Sequence, residues 1–491
     1  MANEYLYGAY GHVGDSVAQS AVQTGTVPVY VGTAPVNLIR GYAEKGIINY
    51  PVEISNLTGA QSRIGYSDDW KAFTLCEAVK AHFDNVLGNI GPVFMINVLD
   101  PDKHRKETQA TVSLAFSHGQ ATIKSDTIIL DTLALAEKVE GSDYKIDYNF
   151  AKGMVIISSD TITENVTASY YEVDVDAVDE SDIIGGVTAG GVYTGLGALQ
   201  LLYQEKNAVC NLLAAPGWSY IPAVYNALVS NAQQINGHWE AFVTADIPLT
   251  DSTSGAVDTI EKAIAWKKEN GYTSERSKVY WPMSRDNAGK IYHNSVWAVV
   301  EMMRADYEHN SVPMETCGNK QIPVVAQYFG ENSKNRGFDQ LTSKELTKNG
   351  ISTCVFWGGN WNLWGDHTAR YTYGADIDPR AIFDVNIRML MHIVNSFQQE
   401  WGIAIDNPMT KQLRDRIINR EQEKLDGYVA MGALIGKAEI LFIESENSTT
   451  DMMNGDFRWD INATPTPPLK SATVYVHYTD SGFAAYFGNE E

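Results

Sequence analysis

Features that indicate metal binding or membrane insertion are missing from this sequence of 491 residues. The few cysteines are far apart and form no C-x-x-C pair or Cys/His spacing of the kind that holds zinc. No apolar run approaches the roughly 18 residues of a membrane helix. The N-terminal residues have neither the basic start nor the apolar stretch of a secretory signal. We therefore predict no metal, no membrane insertion, synthesis in a cytoplasm, and four cysteines that are reduced and buried: Cys76, Cys210, Cys317 and Cys354.

Positive charge is also scarce. The sequence has 37 Lys and Arg against 60 Asp and Glu, which gives a formal net charge of −23. Binding to a nucleic-acid backbone requires clustered Lys and Arg, so direct nucleic-acid binding is excluded as the main function. Strong like charge also keeps copies of the chain apart until specific contacts overcome the repulsion.

No complete motif for nucleotide binding or catalysis is present. The glycine-rich run at 185–199 lacks G-x-G-x-x-G, and the sequence has no G-K-[ST] of a P-loop. GWSY at 217–220 begins like a nucleophile elbow, but Ile221 stands where the second glycine is needed. Asp246 ends a predicted strand, where α/β enzymes place carboxylates, although a turn or helix cap explains it more simply. We predict no catalytic residue and no cofactor.

Short apolar strands alternate with helices along most of the chain. VPVYVGTAP at 27–35 and PVFMINVL at 92–99 predict buried strands on either side of a helix at 67–85, and the alternation resumes from 208. These units favour an α/β core, a mainly parallel sheet flanked by helices. Between them, residues 103–185 contain runs with apolar residues at every second position. That pattern predicts an inserted antiparallel β domain.

The clearest helix signal runs from Asp378 to Trp401. Asp378 can cap the helix, and Pro379 suits its first position because a missing N–H has no cost there. Apolar residues then recur at spacings of four and three, which indicates a helix buried in the core. They are Phe383, Ile387, Leu390, Val394, Phe397 and Trp401.

Just before this helix, FWGGNWNLWGDHTA at 356–369 places three tryptophans among glycines. Bulky rings beside glycine predict a tightly folded irregular segment. Tryptophans this close are able to stack sugars or bases, so a carbohydrate-active enzyme is one alternative function. Packing in the core is the simpler explanation.

A second amphipathic helix is predicted at 410–428, and it carries a basic cluster. Local pairing with Glu421 or Glu423 explains any single basic residue. Four of them within ten residues are nevertheless unusual in so acidic a chain. They are Lys411, Arg414, Arg416 and Arg420.

Both ends of the chain differ from the core. Residues 1–26 are short of large aliphatic side chains, and their composition alone favours disorder over an extended arm. ATVYVHYT at 472–479 predicts a strand, and the proline-rich run at 464–468 before it is stiff and extended.

Three segments together resemble the signature region of contractile bacteriophage tail sheath proteins: FWGGNWNLWGDHTA, FDVNIRMLMHIVNSFQQE and GYVAMGALIGKAEILF. The similarity covers most of the chain. It implies a structural, non-enzymatic subunit that polymerises around a tail tube and contracts to drive the tube through the host envelope for genome delivery. The implied partners are other copies in a helical stack of six-fold rings, the tail tube protein, and baseplate and tail terminator proteins. The implied location is the virion tail, after assembly in the host cytoplasm.

The resemblance also implies roles for particular residues. The basic cluster at 411–420 would contact the tube. The terminal arms would be strands completed by neighbouring copies, with Tyr5, Tyr7, Tyr10, Val474, Tyr475, Val476 and Tyr478 as the candidate residues. A phage-tail-like bacteriocin or a related injection machine is an alternative within the same family.

Six regions follow from these patterns and from the resemblance. They are an N-terminal arm (1–26), the first part of the sheath core (27–102), the inserted β-rich outer domain (103–185), the α/β second part of the core (186–350), a C-terminal core domain with the tube-facing helix (351–469), and a C-terminal strand arm (470–491).

Overall fold

An eight-stranded mixed sheet forms the centre of the fold in the computed structural model, which describes residues 22–23, 25–253 and 255–488. The strands in chain order are β1 (Pro28–Gly32), β2 (Val52–Ile54), β3 (Val93–Asn97), β4 (Leu212–Ala214), β5 (Phe242–Asp246), β6 (Ser277–Tyr280), β7 (Ile351–Trp357) and β8 (Asn360–Trp364). Their order across the sheet is β8-β7-β6-β5-β4-β1-β3-β2. The strands from β7 to β3 are parallel, and the edge strands β8 and β2 are antiparallel to their neighbours. The prediction of an α/β core is confirmed, and its sheet is mixed, with parallel strands from β7 to β3.

Helices cover the sheet, because parallel strands are apolar on both faces and must be shielded from water on both. In the described residues the α-helices are α1 (Leu57–Arg63), α2 (Leu75–Phe83), α3 (Glu180–Ile184), α4 (Gln200–Lys206), α5 (Pro222–Asn231), α6 (Ile260–Glu269), α7 (Asn294–Glu308), α8 (Gln340–Thr347), α9 (Asp384–Trp401), α10 (Lys411–Ala430), α11 (Thr449–Asn454) and α12 (Ser481–Phe487). Most residues of α7 are buried, so it is a core helix.

Two three-stranded antiparallel sheets lie between β3 and β4. One contains Gln120–Ile123, Lys145–Asn149 and Met154–Ser158, and the other contains Ala110–Leu114, Ala134–Leu135 and Val166–Tyr170. Alternate residues point into a hydrophobic cluster separate from the main core, as the period of two requires. Val155, Ile157 and Ala168 are fully buried in it.

The other described strands form small sheets. They are Val22–Gln23 with Ile90–Gly91, Gly186–Val187 with Tyr193–Thr194, Thr250–Asp251 with Gly255–Ala256, Met283–Arg285 with Ile291–Tyr292 and Ala326–Tyr328, and Glu439–Leu441 with Asp460–Asn462.

The helix predicted from Asp378 begins later than expected. Asp378 caps only a short 3-10 turn, Pro379–Ala381, and α9 starts at Asp384. The predicted apolar stripe is also displaced, since Val394 is exposed. The buried face of α9 instead includes Asp384 and Arg388. The pattern of apolar residues does not reveal this face, because Asp384 and Arg388 are charged. Each is buried together with a partner of opposite charge.

The tryptophan segment is a hairpin, and the prediction of an irregular fold was wrong. β7 and β8 are joined by a two-residue turn at Gly358 and Gly359, whose φ angles are 61° and 90°. Both angles lie in the left-handed region, where only glycine is unstrained, and such turns match the twist of a hairpin. Phe356 and Trp357 are exposed near the tip.

The helix predicted at 67–85 is also shorter than expected, because α2 begins at Leu75. The preceding residues form turns held against the end of β1. Thr33 Oγ1 donates to the Ala72 carbonyl at 2.8 Å, and Thr74 Oγ1 accepts from the Thr33 N–H at 3.2 Å. In a longer helix the Ala72 carbonyl would accept a hydrogen bond from within the helix. Here Thr33 satisfies it instead.

Candidate assembly surfaces

Residues 471–479 form an exposed segment that is neither helix nor strand. The alternating sequence predicted a strand here, but the segment pairs with no other part of the chain that the structure describes. Val474, Tyr475, Val476 and Tyr478 are between 81% and 88% exposed. Contiguous apolar surface of this kind is typical of an interaction site. The segment therefore has the composition of a strand and lacks a partner within the described chain.

The base of this segment is held firmly. Thr466 N donates to the Ala433 carbonyl at 3.0 Å, and Thr466 Oγ1 donates to the Gly432 carbonyl at 2.6 Å. Pro465 forms a bridge with Leu434 just after the end of α10. The exposed segment thus starts from a fixed point on the C-terminal part of the fold.

The sheet formed by Glu439–Leu441 and Asp460–Asn462 has an open edge. Ile440 lies opposite Ile461, but the Ile440 N–H donates to Gln422 Oε1 at 3.3 Å on the far side. The two isoleucines are therefore a non-hydrogen-bonded pair, and the backbone groups of Ile461 also point outward. No hydrogen bond from the described residues reaches those groups. This edge can accept a further strand.

Tyr5, Tyr7 and Tyr10 lie outside the described residues. The described chain enters the core at Thr26, whose Oγ1 donates to Asp306 Oδ2 at 2.8 Å. Asp306 in α7 also forms a buried ion pair with Arg388 in α9. The entry point of the N-terminal region is therefore bound to two core helices.

The four basic residues of α10 have different surroundings. Arg414 pairs with Asp415 at 2.7 Å, and Arg420 pairs with Glu400 at 3.1 Å and with Glu423 at 2.9 Å. Local pairing, the alternative expected from the sequence, therefore applies to Arg414 and Arg420.

Lys411 and Arg416 are the exposed members of the cluster that stay unpaired. Neither forms an ion pair with any other residue in the described part of the chain. Glu421 was expected to neutralise an arginine, but it is buried and accepts from Trp401 Nε1 at 2.6 Å and from Lys424 at 2.9 Å. Both positive charges are available to a partner.

Asp246, at the end of β5, has a structural role. It is buried and accepts hydrogen bonds from the backbone N–H and the Oγ of Ser295 in the first turn of α7. Burial raises the pKa of Asp246 above its ordinary value. Nearby, Glu77 in α2 accepts from His293 Nδ1 at 2.7 Å. These carboxylates attach α2 and α7 to the end of the sheet.

The cysteines are buried and free, as predicted. Burial raises the pKa of Cys76 and of Cys354 to about 12, so both remain protonated thiols at neutral pH. Within the described ranges, no group of three or more His, Cys, Asp or Glu is placed to hold a metal ion. None of the described helices has the length and apolar character needed to cross a membrane.

Comparison with solved structures shows which proteins share this fold. No family model matches the chain. A chain in the structure of the anti-feeding prophage (AFP) baseplate, 6-fold symmetrised, has the same fold with a TM-score of 0.56 and 14% identity, covering 97% of this chain and 99% of that one. This chain therefore shares its overall fold with that protein.

Two relatives found by sequence comparison are named as tail sheath proteins. The tail sheath protein of Burkholderia phage BcepMu is 25% identical over 509 residues, covering 98% of this chain and 98% of that protein. The major tail sheath protein of Serratia phage KSP20 is 21% identical over 412 residues, covering 74% and 93%. Over nearly its whole length the chain is similar to proteins named as bacteriophage tail sheath proteins. These relatives are structural sheath proteins, a finding that gives no support to the carbohydrate-active alternative.

Proposed function

We propose that this chain is the repeating subunit of a contractile sheath that polymerises helically around a tail tube and shortens to drive the tube through the host envelope. Its partners would be further copies of itself in stacked six-fold rings, the tube protein, and baseplate and terminator proteins. Assembly would take place in the host cytoplasm, and the sheath would then be part of the virion tail.

The observation that carries this proposal is the exposed segment at 471–479. A strand added to an open sheet edge gains main-chain hydrogen bonds, each contributing about 0.5–1.5 kcal/mol net. The edge at Ile461 is an acceptor of that kind, and the segment is a donor with no partner in the described chain. Donation from one copy to the next would link the copies through two different surfaces, a head-to-tail contact that builds rings where the rotation closes and helices where it does not.

Linked arms also provide a route to contraction. Arms that remain paired would keep neighbours connected while the bodies of the subunits move relative to one another. The extended sheath would be held by a kinetic barrier and would release free energy when the bodies make additional contacts. No nucleotide is needed for such a mechanism.

The tube contact is proposed for α10. Lys411 and Arg416 are its strongest candidates, because they are exposed and have no internal ion pair among the described residues. Arg414 and Arg420 would contribute by exchanging their local partners for acidic groups on the tube.

We retain the six proposed regions. The sheets between residues 110 and 170 would belong to an outer domain, since they have their own hydrophobic cluster. Tyr5, Tyr7 and Tyr10 remain candidates for a donated N-terminal strand.

Truncation tests the proposal. Removing residues 471–491 or residues 1–20 should abolish long cylinders in negative-stain electron microscopy while leaving a folded subunit that still unfolds cooperatively in urea. A matched control replaces the exposed valines Val139, Val187 and Val192 with serine and should assemble normally. Normal cylinders from either truncated protein would contradict strand donation by that arm.

A second candidate is the sheath of an injection particle that carries no genome. The likeness to a chain of the anti-feeding prophage favours it, whereas the sequence relatives come from phages. Capsid and terminase genes beside the coding gene would identify a phage, and their absence would identify the injection particle.

A further inference from the structure

The C-terminal helix α12 carries an aromatic face that strand donation does not use. Phe483, Tyr486 and Phe487 are 56%, 83% and 70% exposed. Their spacing of three and four places them on one side of the helix, where they contact one another and no other described aromatic ring. A compact aromatic face of this kind needs a site that covers it.

A cavity of about 480 Å³ lies at the base of the exposed segment, just before residue 471. One wall is the face of α8 that carries Gln340, Lys344 and Thr347. A second wall is the chain from Trp364 to Tyr373, and the third is the start of the arm at Pro468–Lys470. Its volume lies within the range of ligand-binding clefts, roughly 300–1,000 Å³.

The cavity combines aromatic surface with positive charge. Tyr371 and Tyr373 line it, and Lys470 Nζ lies 5.4 Å from the centre of the Tyr371 ring. Lys344 and Lys348 border it from the α8 side, where Lys348 is paired with Glu345 at 2.8 Å, and Asp366 supplies a single carboxylate to the lining. Three lysines around one cavity are notable in a chain with a net charge of −23.

The end of the chain has the complementary properties. Residues 471–491 contain no Lys or Arg, and they include Asp480, Glu490 and Glu491. Aromatic side chains flanked by carboxylates match a cavity of tyrosines flanked by lysines, through both apolar contact and charge attraction.

We infer that α12 of one copy docks in this cavity on a second copy of the chain. The inference rests on the proposed function, because it assumes that arms reach neighbouring copies. No described residue of α12 lines the cavity of its own chain, and the nine residues 471–479 can reach up to about 30 Å at roughly 3.3 Å each, far enough to place α12 on a neighbour. The occupant is therefore another subunit's helix.

The position of the cavity gives this contact a particular consequence. Pro468–Lys470 form both a wall of the cavity and the base of the acceptor's own arm. The tip of each arm would bind beside the base of the next one, so consecutive arms would form a continuous chain of contacts. Contacts between unlike surfaces of this kind pass from copy to copy, along a ring or along a helix.

Cysteine cross-linking between two single variants tests the inference. Copies carrying Tyr486→Cys and copies carrying Tyr373→Cys are mixed, assembled and oxidised. The four native cysteines are buried and do not compete. We expect a covalent dimer in assembled cylinders, and no dimer when Tyr486→Cys is mixed with Ile403→Cys, an exposed residue outside the cavity. A second pair, Val476→Cys with Asn462→Cys, reports strand donation separately.

The outcomes distinguish the two proposals. Cross-linking of the 476/462 pair without the 486/373 pair would overturn docking of α12 and leave strand donation intact. Failure of both pairs would overturn both. A cross-link within single molecules of an unassembled Tyr373→Cys/Tyr486→Cys double variant would contradict docking on a second copy.

Charge reversal provides a second readout. Lys344→Glu together with Lys348→Glu should reduce the yield of the 486/373 dimer at least several-fold, and high salt should reduce the yield from the unaltered lysines in the same direction. An unchanged yield in the double variant would contradict the role assigned to these lysines.

Discussion

Lys278 in β6 and Asp384 in the first turn of α9 form an ion pair with Nζ 2.5 Å from the carboxylate, and both side chains are almost completely shielded from solvent. Lys278 also donates to the Gly365 carbonyl at 2.7 Å, and Asp384 accepts from Thr316 Oγ1 at 2.9 Å. Burial alone lowers the pKa of Lys278, but the charge and hydrogen bond of Asp384, together with the nearby Cys317 and Asp366, outweigh burial and raise the pKa above its ordinary value. The pair thus joins β6 of the central sheet to α9.

Breaking this pair should destabilise the fold strongly. Asp384→Asn or Lys278→Met leaves one buried group without its counter-charge, and the free energy of unfolding should fall by about 3–5 kcal/mol. Replacing both residues, Lys278→Met with Asp384→Leu, should cost less than the sum of the single changes, because no charge is then left unpaired. Urea unfolding followed by circular dichroism measures all three variants.

The matched control is the solvent-accessible ion pair between Lys80, which lies in α2, and Asp84, which follows α2. Its disruption should change the free energy of unfolding by no more than about 1 kcal/mol. Equal effects at the two pairs would show that burial does not determine their strength.

His293 should make stability depend on pH in the alkaline range. Burial alone lowers the pKa of His293, but Glu77 and then Asp246 outweigh it and raise the pKa to about 9. A histidine whose folded pKa exceeds its unfolded value of about 6.5 stabilises fully below 6.5, and this contribution is lost as the pH rises to 9. We predict that His293 contributes a loss of about 2 kcal/mol between pH 7.5 and 9.5, measured by urea unfolding as the difference between the unaltered protein and His293→Gln. The difference is needed because burial lowers the pKa of Lys267 to about 8, so Lys267 changes stability in the opposite direction over this range.

His293→Gln should remove most of that loss, because glutamine does not titrate. The range starts at pH 7.5 to separate it from Glu301, whose pKa burial raises to about 7. If the variant retained the full pH dependence, another group would be responsible.

Charge reversal on α10 tests the proposed tube contact. Lys411→Glu with Arg416→Glu places negative charge at the exposed unpaired positions and should prevent assembly on purified tubes, since like charges repel at close range. Lys71→Glu with Lys45→Glu makes the same change in net charge at exposed positions elsewhere and should assemble normally. Co-sedimentation with tubes measures both. Equal binding by the two variants would remove α10 from the interface.

Much of the central sheet could be predicted because its strands are short, apolar and separated by helices. The run 27–35 contains β1, and the run 92–99 contains β3, with the ends misplaced by a few residues. In these two strands the apolar run itself indicates which residues are buried, whereas turns such as those tied to Thr33 depend on contacts from distant parts of the chain.

The central helix and the tryptophan hairpin were mispredicted for different reasons. Asp384 and Arg388 appear polar in sequence, and only their partners across the core explain their burial. The glycines at 358 and 359 were interpreted as a sign of irregular structure, although two adjacent glycines between apolar runs also form a hairpin turn. The alternation at 472–479 predicted a strand, but the sequence does not specify which chain would pair with it.

Hydrogen exchange of the amides at 471–479 tests the central claim most directly, because it compares this segment in isolated subunits and in assembled cylinders. Pairing through two or three new hydrogen bonds at about 1 kcal/mol each should slow exchange by roughly 100-fold upon assembly. The amides of α7 should remain protected in both states. Equally rapid exchange at 471–479 in the assembled cylinders would contradict the account.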